Sequence, residues 1–254
     1  MIDTHVHLND ERLSPHIDEI VGNMPLDGIS ALINVGYDIP SSELALSQAE
    51  RYDGVYCAIG VHPHDASTYD ASAEEFLVKA SASNKCVAIG EIGLDYYYDL
   101  SPRETQKEVF VRQLDLAHSL KKPVVIHLRD AYGDMLPLLK ANKDKLEYGI
   151  LLHCYSGSLE LLKEFSKLGA YFAYGGAITF KNATEKPSIV RATPMDRLLL
   201  ETDCPYMTPV PYRGQTNYPR YVSLVRDRVA DILSLDAREI DEITTANARR
   251  FFNI

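Results

Sequence analysis

Near its start the chain reads Asp3-Thr4-His5-Val6-His7, with two histidines separated by one residue. In an extended strand residues two apart point to the same side, so His5 and His7 project together. Two imidazoles held this way form half of a transition-metal site. Taken alone the pair is as compatible with polar residues near a terminus as with a metal. Four further donors change that balance: Glu91, His127, His153 and Asp203 each lie at or near the end of a short apolar run. One such residue has an ordinary packing explanation; six at the C-terminal ends of strand-like runs do not, because that is where barrel enzymes place their chemistry. Four histidines, a bridging Glu91 and Asp203 suit two divalent ions about 3.5–4 Å apart. Such a pair polarises an electrophile and lowers the pKa of a bound water, and Asp203 is expected to accept the proton released.

Other polar residues gather near the same ends. His62 and His64, in Gly60-Val61-His62-Pro63-His64, can contact substrate or hold the turn. Arg129 and Arg213 are candidates for phosphate oxygens, which a planar guanidinium binds well; Arg129 also has Asp130 and Glu201 as possible partners. Tyr96-Tyr97-Tyr98 is a candidate stacking platform for a base. His16 and His118 fall in helix-like segments and receive no chemical role.

The elements that must position these groups alternate regularly. Strand signals occur at Ile2–Leu8, Ala31–Gly36, Val55–Val61, Cys86–Ile92, Pro123–His127, Gly149–His153, Ala170–Tyr174 and Leu198–Asp203. A helix-like segment follows each, which favours parallel strands with helical crossovers. Ser101-Pro102-Arg103-Glu104 predicts a capping box, with Phe110, Leu114 and Ala117 on one face of the helix it opens. A last helix from about Asp236 carries Ile240, Ile243, Ala246 and Phe251 or Phe252, suited to closing packing. The longest aperiodic stretch, Pro205–Pro219, follows the eighth strand signal, where barrels place active-site loops. The expected fold is α/β, a single (β/α)8 TIM-barrel domain over residues 1–254. A doubly wound open sheet competes, but eight units with donors at their ends favour closure.

Composition agrees with a globular domain: 46% of the 254 residues are hydrophobic and 24% charged. No signal segment or membrane span is legible, so a cytoplasmic protein is expected. Cys57, Cys86, Cys154 and Cys204 are scattered without CxxC spacing and read as buried free thiols. A net charge of −10 excludes a broad basic face for nucleic acid. It leaves room for a phosphate drawn to metal ions and arginines locally.

The donor residues sit in a series of ordered motifs. They are Asp3-Thr4-His5-Val6-His7-Leu8, Gly60-Val61-His62-Pro63-His64, Gly90-Glu91-Ile92-Gly93-Leu94-Asp95-Tyr96-Tyr97 and Pro123-Val124-Val125-Ile126-His127-Leu128-Arg129-Asp130-Ala131. His153-Cys154-Tyr155-Ser156-Gly157, Thr179-Phe180-Lys181-Asn182-Ala183 and Leu200-Glu201-Thr202-Asp203-Cys204-Pro205-Tyr206 continue the series. In these the chain resembles the TatD family of metal-dependent deoxyribonucleases, within the amidohydrolase superfamily. The resemblance implies metal ligation by His5, His7, Glu91, His127, His153 and Asp203, with Glu91 bridging. It also implies 3′–5′ exonuclease action on single-stranded DNA, with magnesium usually supplied. Against the family pattern, Tyr98, Leu128, Tyr155 and Asn217-Tyr218-Pro219 are departures, none at a donor.

The expectation is therefore a deoxyribonuclease with two divalent ions, Mg2+, Mn2+ or Zn2+. Its substrate is single-stranded DNA, with no membrane and no legible protein partner, and the chain is expected to be a monomer. A hydrolase of small amides, lactones or phosphoesters on the same fold is the first alternative. A non-catalytic metal-binding protein is the second.

Overall fold

The computed structural model describes residues 1–254. Eight parallel strands form one sheet in chain order: β1 Ile2–Val6, β2 Ala31–Val35, β3 Val55–Ile59, β4 Cys86–Asp95, β5 Val124–Arg129, β6 Ile150–Leu152, β7 Tyr171–Tyr174 and β8 Leu198–Leu200. Helices α1 Ile17–Asn23, α2 Ile39–Arg51, α3 Ala71–Ala80, α4 Arg103–Ser119, α5 Tyr132–Ala141, α6 Leu159–Ser166, α7 Lys186–Ala192 and α8 Val222–Leu233 follow the strands in turn. A further helix, α9 Ala237–Phe252, ends the chain. This is the (β/α)8 barrel the alternation predicts, and no helix is long and apolar enough to cross a membrane.

Closure between β1 and the segment after β8 is made largely by polar groups. The His7 N–H donates to the Cys204 carbonyl at 2.8 Å, and the Asp203 N–H to the His5 carbonyl at 2.9 Å. Thr202 donates twice to the buried Asp3 carboxylate, from its N–H at 2.9 Å and its hydroxyl at 2.6 Å. Burial pushes the Asp3 pKa up, and those two bonds oppose it without cancelling it. Thr202→Val keeps the shape but strands part of that carboxylate. The expected result in urea unfolding is a loss of about 1–3 kcal/mol, as for other buried acceptors left unsatisfied.

Two apolar clusters show which alternate set of strand residues faces inward. The larger lies between sheet and helices and includes Phe110, Leu114 and Ala117 of α4. The smaller fills the barrel with Ile2, Ile33, Val35, Val125, Leu151, Leu199 and others. Ala248, Phe251 and Phe252 of α9 belong to this inner cluster, so the last helix plugs the barrel at the end where β1 begins. Asp236 caps α9 by accepting the Arg238 N–H at 2.7 Å.

Some local expectations are corrected. The capping box at Ser101 does not form: Pro102 stands at the N-cap of α4 without a side-chain cap. Ser101 instead donates its hydroxyl to the His64 carbonyl at 2.8 Å and accepts the Ser67 N–H at 3.2 Å. A tertiary demand near the rim has taken the serine from the helix. Strand β4 runs on to Asp95 rather than stopping at Ile92, because Leu94 and Asp95 still pair with Leu128 and Arg129. Strands β6 and β8 stop earlier than expected, leaving His153 and Asp203 just beyond their ends. The cysteines are all free; Cys57, Cys86 and Cys204 are buried and Cys154 is half-buried.

Candidate metal centre

Six side chains from β1, β4, β5 and the segments after β1, β6 and β8 converge at the C-terminal mouth of the barrel, His7 lying just past the end of β1, which stops at Val6 rather than at Leu8. Alternation alone would not bring them there. Ile2 faces the interior, so an unbroken strand would turn His5 and His7 outward. A register shift between Asp3 and Val6 switches the parity. A second shift, between Ile89 and Ile92, does the same for Glu91. β5 needs no such device, since Val125 and His127 share parity. Gly93 lies at φ 153°, and a Cβ there would come within 1.9 Å of the His127 carbonyl oxygen. Glycine is what lets β4 approach β5 at this level.

The donor atoms separate into two sets. His5 Nε2 and His7 Nε2 lie 3.2 Å apart, with Glu91 Oε2 at 3.5 and 4.0 Å from them and Asp203 Oδ1 at 3.9 and 3.4 Å. In the second set His127 Nδ1 and His153 Nε2 are 3.4 Å apart and lie 2.8 and 2.7 Å from Glu91 Oε1. Donors about 2.1 Å from a tetrahedral ion are about 3.4 Å from one another. The first set and the His127–His153 pair have about that spacing, while Glu91 Oε1 stands at hydrogen-bond distance from both imidazoles and draws back slightly if an ion enters. Glu91 offers one oxygen to each. The donor set therefore fits a metal pair.

The electrostatics point the same way. Burial disfavours the charge on Glu91, yet His153, His62 and His127 around it hold its pKa well below the ordinary carboxylate range. Burial is likewise outweighed at Asp203, whose pKa is held down by His7, His5 and His153. The pKa of His7 is raised despite burial because Asp203 faces it. That of His127 is raised by Asp95 and Glu91, and that of His153 by Glu91 and Glu201. Burial and the neighbouring His153 lower His5 instead. Without an ion, protons on His7, His127 and His153 supply the positive charge the carboxylates need.

A pH prediction follows from these directions. The three histidines have folded pKa values above the unfolded 6.5, so their stabilisation is complete below 6.5. It disappears as pH rises from 6.5 through the raised values. Chelator-treated protein should lose thermal stability over that interval, whereas added Mn2+ or Zn2+ should stabilise it increasingly, since metal displaces those protons. Parallel melts across that range, with and without chelator, provide the check.

Asp95 and Glu201 were not singled out as site residues. Asp95 Oδ2 lies 2.9 Å from His127 Nε2 and 3.1 Å from His64 Nε2. Its Oδ1 accepts the N–H groups of Tyr97 and Tyr98 at 2.9 and 2.8 Å. Glu201 is fully buried, accepts the Cys154 N–H at 2.5 Å and lies 3.7 Å from His153 Nδ1. Asp95 orients the His127 imidazole by a hydrogen bond from behind, and Glu201 sets a buried negative charge behind His153. Their two- and four-residue spacing from Asp203 and Glu91 was the available signal.

The remaining expected residues are placed as follows. His62 is buried, with Nε2 at 3.7 Å from Glu91 Oε1, and its Nδ1 accepts the His64 N–H. Together with Glu91 and His127 it forms another cluster of donor atoms, as do His5, Glu91 and His153. His64 lines the same cavity. Arg129 pairs with neither Asp130 nor Glu201; its guanidinium lies over the Tyr97 ring at 3.7 Å and near Tyr98 at 5.0 Å. Arg213 is exposed, sits over Phe180 at 4.2 Å and does not line the cavity around the donors. Tyr97 and Tyr98 expose 57% and 55% of their surface, with Arg129 covering one face of Tyr97 and the two rings meeting edge to face.

Residues 2–253 match the family model described as TatD related DNase. An uncharacterized metal-dependent hydrolase of Bacillus subtilis, YabD, is 41% identical over 254 residues, covering all of this chain and 99% of that protein. The 3′-5′ ssDNA/RNA exonuclease TatD of Klebsiella pneumoniae is 33% identical, covering all of this chain and 98% of its own length. The crystal structure of YjjV, a TatD homologue from Escherichia coli, superposes with a TM-score of 0.94 at 30% identity. It covers all of this chain and 98% of the other.

Proposed function

This chain belongs to the TatD-related DNase family of metal-dependent hydrolases, and we propose that it hydrolyses phosphodiesters of single-stranded DNA from the 3′ end. The observation that carries the reading is the sharing of Glu91 between two donor sets at the barrel mouth. His5, His7, Glu91 and Asp203 would hold one divalent ion in this reading, and Glu91, His127 and His153 would hold a second. Ions bound there supply Lewis-acid charge to the phosphodiester and to a water beside it. Imidazole donors favour Zn2+ or Mn2+, while Mg2+ prefers oxygen ligands.

The chain's own groups do the rest. Asp203 is the more open of the two carboxylates in the cluster, with 15% of its side chain exposed against 5% for Glu91, and it takes the proton of the attacking water. Its pKa, held down by His7, His5 and His153, keeps it ionised. Arg129, which makes no hydrogen bond or ion pair with its side chain, offers its guanidinium to phosphate oxygens. His62 and His64 line the same cavity as Asp203 and contact the substrate there. The whole chain acts as one domain.

A single strand labelled at its 5′ end tests this directly. With Mn2+ or Mg2+ the products should shorten stepwise from the 3′ end, and chelator should stop the reaction. Inertness toward DNA combined with turnover of a small ester, lactone or amide would overturn the reading.

A further inference from the structure

Three buried glutamines on helices outside the barrel take no part in the donor cluster: Gln48 on α2, and Gln106 and Gln113 on α4. On α4 the pair lies on the inward face, in step with Phe110, Leu114 and Ala117. Leucine or methionine would fill those positions without desolvating an amide. What the amides hold accounts for their presence.

Gln113 accepts the Val61 N–H at 2.8 Å and donates from Nε2 to the Val61 carbonyl at 2.9 Å. Gln106 does the same for Asp95, at 2.9 and 3.1 Å, and donates also to the Ser101 carbonyl at 2.9 Å. Gln48 donates to the Leu8 carbonyl at 3.1 Å, while Asn34, bonded to Gln48 at 2.7 Å, accepts the Leu8 N–H at 2.8 Å. In each case side-chain amides meet one residue at both its backbone groups, as a neighbouring strand would. No strand is placed to do it: β1 ends at Val6, β3 ends at Ile59, and β3 pairs with β4 no further than Ile89. The N–H and C=O of Leu8 and Val61 have no backbone partner, so the amides alone satisfy them. All three clamped residues adjoin the site. Leu8 follows His7, Val61 precedes His62, and the Asp95 carboxylate lies against His127.

We propose that Gln106 is a positioning residue for His127 and acts on it through Asp95. Asp95 is the last residue of β4, paired with β5 on one side, and Gln106 stands on the other side where β3 has ended. With its peptide groups fixed from α4, Asp95 has its carboxylate aimed at His127 Nε2, 2.9 Å away. That bond keeps a proton on Nε2 and turns Nδ1 toward Glu91 Oε1 at 2.8 Å, the orientation in which the ring can serve the second donor set. The other Asp95 oxygen is bonded only to the Tyr97 and Tyr98 N–H groups, which move with the same turn and cannot fix it. Through Ser101 the hold extends to His64, whose carbonyl accepts the Ser101 hydroxyl at 2.8 Å. The inference rests on the two-ion reading of the donors and names the helix residue that sets the second of them.

Gln106→Met keeps the length of the side chain and loses all three bonds. Gln113→Met, equally buried on the same helix, is its control. Both should lower the midpoint of urea unfolding, since both leave backbone groups unmet. Zinc titrations of the full chain, stripped with chelator, should tell them apart. Gln106→Met should bind one of the two ions about tenfold more weakly and the other within about threefold of the wild type. Gln113→Met should bind both within about threefold. No selective loss in folded Gln106→Met, or the same loss in Gln113→Met, overturns the proposal. Gln106→Glu keeps the bond from the Asp95 N–H and loses the two donated ones, and it replaces the methionine variant if that fails to fold. A wild type that takes up fewer than two ions defeats the two-ion reading separately, and crystal structures then decide. Asp95 Oδ2 out of hydrogen-bond reach of His127 Nε2 in the Gln106 variant supports the positioning role, and an unmoved pair overturns it.

Discussion

Asp203→Asn should lower the rate of DNA hydrolysis by about 10²–10⁴-fold, the range for loss of a positioned proton acceptor. The amide keeps the size and one oxygen of the carboxylate, but it neither accepts the proton nor brings a negative charge to the imidazoles 3.4 and 3.9 Å away. The fold should survive the change. Asp203 sits at φ 56°, a left-handed conformation that asparagine adopts more readily than most residues. Its backbone bonds, from its N–H to the His5 carbonyl and from the Tyr206 N–H to its own carbonyl, are untouched. Circular dichroism should match the wild type while the 5′-labelled strand stays intact. Activity within a few-fold of the wild type, in a folded variant, would remove Asp203 from the mechanism.

Glu91→Gln should have an effect as large on turnover and a larger one on the protein itself. Each Glu91 oxygen faces a different donor set, so the amide nitrogen must replace a carboxylate oxygen in one of them. Losing even an outer partner of a metal ligand costs about 10–100-fold in affinity or activity, and losing the shared donor should exceed that. Metal analysis should find at most one ion per chain. The metal-free variant should also be less stable by about 3–5 kcal/mol, because the imidazoles of His127 and His153 lose the carboxylate they are buried against. Two retained ions with near-normal turnover would contradict the bridging role. Measuring metal content and urea stability together separates a lost ion from a lost fold.

Much of the architecture was legible because strand and helix signals are local. Eight apolar runs separated by helical periods are enough to propose a barrel. The apolar face of α4 follows from spacing alone, as Phe110, Leu114 and Ala117 are all buried. In α9, by contrast, Ile240, Phe251 and Phe252 are buried but Ile243 is half-buried and Ala246 exposed, the inner face being completed by Thr244, Asn247 and Ala248. Boundaries were less legible, since strand ends are set by what pairs alongside. β4 continues to Asp95 because β5 continues to Arg129, which no property of residues 93–95 announces.

By itself the sequence determined the types of the donors and their order at the ends of the runs. It also determined that no cysteine framework or broad basic face exists. Those properties depend on composition and on a period of two or three to four residues. The tertiary structure alone decided which donors share an ion-sized space and that Glu91 lies between the two sets. It also decided that Asp95 and Glu201 back the imidazoles, that Ser101 serves the His64 turn, and that Arg129 is left free while Arg213 stands away from the cavity. The physical reason lies in the two register shifts and in barrel closure. A shift of one residue turns every later side chain of a strand to the other face, and that decides whether His5, His7 and Glu91 face the mouth of the barrel or the helices. Closure then brings residue 203 beside residue 5 through bonds that span nearly the whole chain.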